Sequence, residues 1–293
     1  MQWPLRADGD EACGAVREEA IALDSVDGPT YDAHVVRWDP ERYRAFAEER
    51  ARPFLDLTSR LDGLTPSRIV DLGCGTGELT ATLADRWPDA DVLGIDSSPD
   101  MLAATGPLAA EHPRLAFQEQ AIEGWEPDPD VDLVVSNAAL QWVPTHRELI
   151  RGWLTRLRPG ATIAVQVPGN EDSASQVLVR ELAAEPRWAD ALAGAGSAIL
   201  RVGTMRDYVD VFLDGGHRVE AWETTYQHVL HGEDAVLGWL SGTRLRPYLA
   251  ALGARADEFV EELRPRLSAA YPTVSGATLF PFRRLFVVGT ARP

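Results

Sequence analysis

Short apolar runs alternate with amphipathic segments through the first half of this chain. Five of these runs have the length and the residue types of buried strands. They are Ile69–Asp71, Val92–Asp96, Leu115–Phe117, Val131–Ser136 and Thr162–Val167. Because the segments between them carry apolar residues at helical spacing, the pattern predicts an α/β fold in which helices cover both faces of a parallel sheet.

The pattern changes after Pro168. Residues 173–185 and 204–213 are predicted helices that lie outside the alternation of strands and helices. Residues 217–230 alternate in the manner of a strand, and residues 284–290 form a last strand-like run. A helical insert, about residues 231–280, separates these two late strands.

The N-terminal segment differs from the rest of the chain. Residues 1–37 are acidic and show no periodicity, so we expect a flexible N-terminal extension. Asp39-Pro40 is predicted to open a helix in which Phe54 and Leu57 recur at helical spacing. The folded domain is expected to cover residues 38–293.

A glycine-rich turn follows the first predicted strand, in the segment Asp71-Leu72-Gly73-Cys74-Gly75-Thr76-Gly77. A strand, a tight turn and a helix together place a ligand against backbone NH groups at a helix N-terminus. A dinucleotide fingerprint would have its third glycine one residue later, where Glu78 stands. An acid before Gly-x-Gly-x-Gly is similar instead to the S-adenosylmethionine (SAM) turn of class I methyltransferases. An ordinary tight loop is the alternative interpretation of this turn on its own.

The second predicted strand supplies a carboxylate at the expected offset. Asp96 lies nineteen residues after Gly77, close to the ~20 residues typical of an acid that binds ribose hydroxyls. Ser97, Ser98 and Pro99 then suit the start of a helix, with serine as the cap and proline in the first turn. The pair of signals favours a cofactor site over a chance turn.

Composition narrows the possible partners. With 45 acidic and 28 basic residues the formal net charge is −17, which argues against binding to nucleic acids or to anionic membrane surfaces. No apolar run approaches the ~18 residues of a membrane span, and no signal peptide is evident. The two cysteines, Cys13 and Cys74, do not predict a disulfide framework. We expect a soluble, cytoplasmic protein.

The chain resembles the trans-aconitate 2-methyltransferase family, whose members are SAM-dependent carboxylate methyltransferases. The resemblance runs from about Trp38 to Arg292. It includes Trp38-Asp39-Pro40, the glycine turn, Gly94-Ile95-Asp96-Ser97-Ser98-Pro99, Ser136-Asn137-Ala138-Ala139-Leu140-Gln141-Trp142-Val143-Pro144, Ala164-Val165-Gln166-Val167-Pro168, Trp222-Glu223-Thr224-Thr225-Tyr226 with His228, and Phe280-Pro281-Phe282-Arg283-Arg284-Leu285-Phe286. The late segments are the more specific ones.

The resemblance implies a fold as well as an activity. The expected architecture is the Rossmann-like, doubly wound α/β sheet of class I SAM-dependent methyltransferases, with an antiparallel edge hairpin and a helical cap. The cap would be formed by insertions at about residues 168–203 and 231–280. Because ligands bind at the carboxyl ends of the strands in such sheets, the cap should choose the substrate.

The resemblance also implies a set of cofactor-binding residues. These are Asp71, Gly73, Gly75, Gly77, Asp96, Ser97, Gln120, Ile122 and Asn137. One position departs from the family pattern, because Ala121 stands where many class I methyltransferases carry an aspartate that binds the adenine amino group. Gln120 or the backbone NH of Ile122 is the expected replacement.

The implied reaction moves a methyl group from the sulfonium of SAM to a carboxylate oxygen. Since a carboxylic acid is already ionised at pH 7, no general base is needed, and the sequence shows neither a catalytic triad nor metal-ligand spacing. Trp142 and Gln141 are expected near the methyl group. We therefore expect catalysis by positioning.

The implied substrate, trans-aconitate, is a small tricarboxylate, so a protein of this net negative charge must bind it through local cations. Arginine suits this role because it binds carboxylates bidentately. The candidates for substrate binding are Tyr226, His228, Arg244, Arg246, Arg283 and Arg284, with Arg50 and Arg52 behind them. In a regular strand Arg283 and Arg284 point to opposite faces, so we expect one of the two at the site.

Three alternatives stay open at this stage. The chain could methylate another small carboxylic acid, it could be an NAD-dependent dehydrogenase on the same type of sheet, or it could bind SAM without catalysis. The displaced third glycine argues against the dehydrogenase. As partners we expect only the tricarboxylate and SAM, with no metal, no nucleic acid and no membrane, and a monomer or weak homo-oligomer.

Overall fold

The computed structural model describes residues 47–195, 202–242 and 244–292. The expected extension at residues 1–37 and the side chain of Arg50 lie outside this description. The strands are β1 (Arg68–Leu72), β2 (Asp91–Asp96), β3 (Leu115–Glu119), β4 (Leu133–Asn137), β5 (Thr162–Pro168), β6 (Arg218–His231), β7 (Thr273–Val274) and β8 (Ala277–Thr290).

Helices fill the connections between these strands. They are α1 (Ala47–Ser59), α2 (Glu78–Arg86), α3 (Pro99–Leu102), α4 (Gly106–Glu111), α5 (His146–Arg156), α6 (Ala174–Ala183), α7 (Pro186–Ala189), α8 (Met205–Leu213), α9 (Ala235–Ser241), α10 (Arg246–Leu252) and α11 (Ala256–Ala270). Short 3-10 helices occur at Ile122–Gly124, Leu140–Trp142 and Gly253–Arg255. Ser98 caps α3 as expected, since its side chain accepts from the Met101 NH.

One sheet holds all the described strands, in the order β3-β2-β1-β4-β5-β8-β6, with β7 paired to β8. The five early strands are mutually parallel, and β8 runs antiparallel to both β5 and β6. The expected doubly wound sheet with antiparallel late strands at one edge is confirmed. Parallel strands place their carboxyl ends at one edge of the sheet, so the glycine turn, Asp96 and Asn137 meet there.

Both faces of the sheet are covered. On one face α5 and α8 contribute Trp153, Tyr208 and Phe212 to the largest apolar cluster. On the other face α1 and α2 contribute Phe54, Leu57 and Leu83. This burial explains why the early strands are almost uniformly apolar, as expected for strands covered on both sides.

A separate apolar cluster lies where β6 ends and β8 begins. It joins Trp188, Trp239 and Phe259 of the helices that follow β5 and β6 to Leu230 and Phe280 of β6 and β8. Helices therefore occur in both of the predicted cap insertions. That the insertions at about residues 168–203 and 231–280 form a cap distinct from the sheet stays a prediction.

The start of the last strand differs from the sequence-based expectation. The sequence predicts that strand at residues 284–290, whereas β8 begins at Ala277 and pairs with β6 along its whole length. The added part contains Pro281, which has no NH to donate to a ladder. Since β5 pairs with β8 only from Arg284 onward, β8 has a free edge at Pro281, and proline is tolerated at such an edge.

Candidate functional site

The glycine turn bends the chain sharply between β1 and α2. Gly73, Gly75 and Gly77 all adopt positive φ, at 80°, 58° and 83°, a region that residues with a Cβ rarely enter. Two of these glycines also serve close packing. A Cβ on Gly73 would lie 2.1 Å from the Cβ of Ala139, and a Cβ on Gly77 would lie 2.7 Å from the ring of Phe117.

Gly75 faces open space instead, because a Cβ placed on it meets no atom within 4 Å. This glycine therefore lets something outside the chain approach the backbone, which is the part that a middle glycine has in nucleotide-binding turns. The open space beside Gly75 would allow SAM to contact the backbone of this turn.

Asp96 is held beside the turn at the end of β2. Its two carboxylate oxygens accept hydrogen bonds of 2.9 Å from the Gly75 and Ser98 NH groups. Ser97, between Asp96 and Ser98 in the chain, is exposed. An ordered carboxylate next to the open glycine suits the ribose hydroxyls of a nucleoside ligand.

Asp71 lies beneath the turn and is buried. Thr80 donates a 2.6 Å hydrogen bond to its Oδ2. Burial raises the pKa of Asp71 from 3.8 to about 7, with a smaller contribution from the charge of Asp96, and the Thr80 bond opposes the shift. The buried thiol of Cys74 also has a raised pKa, chiefly because of burial, so it is a poor nucleophile at neutral pH.

The segment after β3 is where an adenine ring would be expected. The Gln120 amide is engaged, since Nε2 donates to the Gly124 carbonyl and Oε1 accepts from Gln118, both at 2.9 Å. Ala121 is exposed and precedes the 3-10 helix that Ile122 begins. No bond within that helix uses the Ile122 NH, because the first NH groups of a helix have no partner inside it.

The end of β4 presents two amide side chains. The Asn137 Oδ1 and the Gln141 Oε1 are buried and have no hydrogen-bond partner within the described ranges, although the Gln141 Nε2 donates to the Ala138 carbonyl. Ala138 has a positive φ of 53°, and Trp142 is half-buried at the close of the following 3-10 helix. Positive φ at a non-glycine residue stores strain, and such strain often marks a functional turn.

Arg283 and Arg284 of β8 lie on opposite faces of the sheet. The Arg284 side chain is buried, with its Cζ 4.5 Å from the centre of the Phe282 ring. The Arg283 Nε donates to the Gly169 carbonyl at 2.6 Å, and its guanidinium lies 3.6 Å from Glu223. Since Arg284 pairs with Pro168 at the carboxyl end of β5, its side chain lies near the edge of the sheet that carries the glycine turn.

Tyr226 and His228 share the face of Arg284. His228 is buried and stacks on Trp239 with ring centres 4.8 Å apart. The Tyr226 hydroxyl donates to Asp56 of α1. Burial and this hydrogen bond both raise the pKa of Tyr226, so the hydroxyl stays protonated at neutral pH.

Arg244 stands in the loop before α10, which begins at Arg246. The Arg244 Nε is buried and finds no hydrogen-bond partner among the residues that the structure describes. Burial lowers the pKa of Arg244, and Arg180 lowers it further, while Tyr248 and Glu171 act in the opposite direction. A partly desolvated guanidinium of this kind is a good site for a carboxylate. Arg52, in contrast, is exposed on α1.

Sequence reasoning gave no role to Gln166, Asp56, Arg180 or Tyr248. The signal for Gln166 was one amide inside the apolar run Thr162–Val167. For the other three no local signal exists, because each becomes relevant only through a partner from another element. In the described ranges no cluster of three His, Cys, Asp or Glu side chains has the arrangement of a metal site. Within those same ranges, no helix is both long and apolar enough to cross a membrane.

Comparison with known proteins agrees with this geometry. A family model described as a methyltransferase domain matches residues 69–160. A trans-aconitate 2-methyltransferase from Rhodococcus jostii is 52% identical over 254 residues, which cover 86% of this chain and 98% of that protein. Proteins with the same name from Streptomyces avermitilis and Mycolicibacterium gilvum are 48% and 46% identical, with 87% of this chain covered and 97% and 99% of theirs.

Solved structures of lower identity share the fold. The YcgJ protein from Bacillus subtilis superposes with a TM-score of 0.55 at 15% identity, covering 83% of this chain and 99% of that one. Geranyl diphosphate C-methyltransferase from Streptomyces coelicolor gives 0.50 at 13% identity, covering 89% and 86%. At these identities the likeness concerns the arrangement of the sheet and its helices.

Proposed function

This chain belongs to the trans-aconitate 2-methyltransferase family, and we propose that it transfers the methyl group of SAM to one carboxylate of trans-aconitate. The products are a monomethyl ester and S-adenosyl-L-homocysteine. The chain is thus a SAM-dependent carboxylate O-methyltransferase. The substrate is the part of this statement that an assay has to test.

One observation carries the proposal, namely the extent of the match to the relatives named for this activity. An identity of 52% over 254 residues cannot be confined to the cofactor-binding half, because the methyltransferase domain itself spans only residues 69–160. The segments that differ most among enzymes of one fold are those that choose the substrate. Their similarity supports the same acceptor.

Neutral pH already supplies the acceptor in its reactive form. A carboxylic acid with a pKa of about 4 is an anion at pH 7, so no residue has to remove a proton. When SAM is bound it supplies an electrophilic methyl group on a positively charged sulfur. The chain must hold the two reactants in line and exclude water, and well-aligned intramolecular systems gain about 7–11 kcal/mol in this way.

The residues at the glycine turn fit SAM. Gly75 leaves room for close backbone approach, and Asp96 presents a fixed carboxylate to the ribose. Asp71 offers a negative charge beneath the turn, and a positively charged ligand favours its ionised form. We assign the remaining contacts to Gly73, Gly77, Ser97, Gln120, the Ile122 NH and Asn137.

The acceptor is proposed to lie over the face of β8 that carries Arg284. The buried guanidinium of Arg284 is close to the end of β5, and we assign a second carboxylate of the acceptor to Arg244, in the loop before α10. Separate arginines suit a molecule with several carboxylates, because a single bidentate clamp satisfies only one of them. Arg246, Tyr226 and His228 would complete the pocket, with Arg52 farther out. Arg283 contacts Gly169 and Glu223 on the other face, so it is the least favoured of these candidates for substrate binding.

Trp142 and Gln141 stand next to the end of β4, where the methyl group and the acceptor would meet. We propose that they position the reactants and take no part in proton transfer. We further propose a cytoplasmic enzyme that is a monomer or weak homo-oligomer and in which the cap chooses the substrate.

The test is transfer of labelled methyl groups from SAM to a panel of acids, namely trans-aconitate, cis-aconitate, citrate, isocitrate and a monocarboxylate. Base-labile label on trans-aconitate, well above the others, is the expected result. Preference for another acid would keep the methyltransferase and replace the substrate, which is the main alternative. Absence of label on every acid, although SAM binds, would overturn the proposal.

A further inference from the structure

Gln166 is a fully buried glutamine whose side-chain amide makes no hydrogen bond to any residue that the structure describes. It lies near the end of β5, is 0% exposed, and has no partner in that part of the chain for Oε1 or for Nε2. A buried polar group left in this state destabilises the folded protein, and such groups in native structures call for an explanation. Ser136, a buried polar residue of β4, shows the usual solution, since its Oγ donates to the Leu72 carbonyl at 2.9 Å.

The position of Gln166 points to a ligand. It pairs in register with Asn137 of β4 on one side and with Phe286 of β8 on the other, and residues paired in this way project to the same face of a sheet. Arg284, two residues from Phe286, shares that face. The Asn137 Oδ1 also lacks a partner among the described residues, so unsatisfied amide atoms lie side by side at the ends of the neighbouring strands β4 and β5.

Strand order fixes where the reactants would meet. The glycine turn follows β1 and Asn137 ends β4, whereas Arg284 belongs to β8, and β5 lies between β4 and β8. Neighbouring strands are about 4.8 Å apart. A carboxylate that reaches from the cation on β8 toward a methyl group held at the end of β4 must therefore pass over β5, where Gln166 stands.

We propose that Gln166 positions the reacting carboxylate of the acceptor by donating a hydrogen bond from Nε2 to the oxygen that is not methylated. This inference rests on the proposed function. In the step itself the other oxygen forms a bond to the methyl carbon, the methyl–sulfur bond breaks, and its electron pair stays on sulfur. No proton moves.

A neutral amide suits this position better than an arginine would. A guanidinium carries a full positive charge, so on the reacting carboxylate it would add Coulomb attraction, stabilise the anion and weaken it as a nucleophile. An amide orients the group at a lower cost in reactivity. The arginines then hold the carboxylates that do not react, and Gln166 decides which carboxylate is presented to the methyl group.

The test compares Gln166→Met, Gln166→Glu and the parent protein by kinetics, by SAM affinity and by NMR of the esters formed. The parent should give one monomethyl ester. Gln166→Met keeps the shape without the donor, and we expect kcat to fall at least tenfold, KM to change less than threefold, SAM affinity to stay, and a second monoester to appear. Gln227→Met, at an exposed glutamine of β6, is the matched control and should behave as the parent.

Gln166→Glu gives a readout that a purely structural role would not move. An ionised Glu repels the acceptor, whereas a protonated Glu can donate a hydrogen bond in place of the amide. Activity of this variant relative to the parent should therefore rise as the pH falls from 8 to 6. Gln166→Met should keep the pH profile of the parent.

The outcomes separate the two proposals. If a folded Gln166→Met variant keeps the parent's kcat and its single ester, or loses SAM affinity instead, the inference about Gln166 is wrong while the proposed function stands. If the parent methylates a different acid of the panel, the proposed substrate is wrong, and the inference about Gln166 stands only if Gln166→Met lowers kcat for that acid. If the parent methylates none of the acids, both proposals fail.

Discussion

Arg283 and Arg284 are neighbours in the chain, but their guanidinium groups are separated by the sheet. Arg284 is buried over the ring of Phe282, and Arg283 donates to the Gly169 carbonyl on the other face. The alternation of side chains along a strand accounts for the separation. An acceptor on one face of β8 can therefore use Arg284 and not Arg283.

Replacing Arg284 should weaken acceptor binding. A hydrogen bond to a charged group contributes about 1.5–3 kcal/mol, so Arg284→Gln should raise KM for trans-aconitate by about 10- to 100-fold, with SAM affinity unchanged. Steady-state kinetics and calorimetry measure the two quantities. Arg283→Gln should raise KM much less, and the exposed Arg218→Gln serves as a surface control. An equal rise in KM for the Arg283 and Arg284 variants would contradict the assignment to one face.

Arg244 should show opposite effects on stability and on binding. Its guanidinium is partly desolvated and its Nε has no partner in the described part of the chain, and desolvating a charged group without a hydrogen bond for each buried nitrogen destabilises the free protein. Arg244→Met should therefore keep or raise Tm in the absence of ligand, while KM for the tricarboxylate rises by about tenfold, the effect of losing roughly 1.4 kcal/mol.

A monocarboxylate acceptor provides the internal control for Arg244, because it needs only one clamp. Its KM should rise less than that of the tricarboxylate. A marked fall in the Tm of Arg244→Met, with KM unchanged for both acids, would show that Arg244 holds the fold together and does not bind the acceptor.

Two glycines of one turn should respond differently to alanine. In Gly75→Ala the new Cβ meets no protein atom within 4 Å, so the cost to stability is the ~1–2 kcal/mol of a positive φ, but the methyl group fills the space where SAM is proposed to approach. In Gly73→Ala the Cβ would lie 2.1 Å from that of Ala139, and the backbone has to move.

Calorimetric titration with SAM and thermal unfolding test this pair. Gly75→Ala should lose SAM affinity with a small fall in Tm, and Gly73→Ala should lose several degrees of Tm. If Gly75→Ala binds SAM as the parent does, the open side of the turn is not the SAM site.

Asp71 should make the stability of the free protein depend on pH. Its pKa is raised from 3.8 to about 7 by burial, so between these values the folded state holds a proton that the unfolded state releases. The stabilisation is complete below about pH 4 and is lost as the pH rises through about 7, with an amplitude on the order of a few kcal/mol.

Urea unfolding at pH 5 and pH 8 measures this dependence in the parent and in Asp71→Asn. The asparagine can still accept the Thr80 hydrogen bond but does not titrate. The variant should lose less stability than the parent between the two pH values. Identical losses would show that Asp71 does not titrate in this range.

The local pattern of the sequence was enough to predict most of the fold. Apolar runs placed β1 to β5 within a few residues of their observed bounds, and Asp71, the glycine turn and Asp96 predict which end of the sheet binds the cofactor. These features are local, since a buried parallel strand needs an apolar run and a tight turn needs glycine at positive φ. The resemblance to a known family then indicated the acceptor.

The tertiary structure decided which side chains meet. The sequence placed Arg283 and Arg284 side by side, but only the register of β8 with β5 and β6 shows which of them is buried beside the end of β5. It could not show that Tyr226 donates to Asp56, that Arg244 is partly desolvated, or that the amide of Gln166 is left without a partner. Burial and hydrogen bonding depend on neighbours that are distant in the chain, so they are decided by the packing of the whole domain.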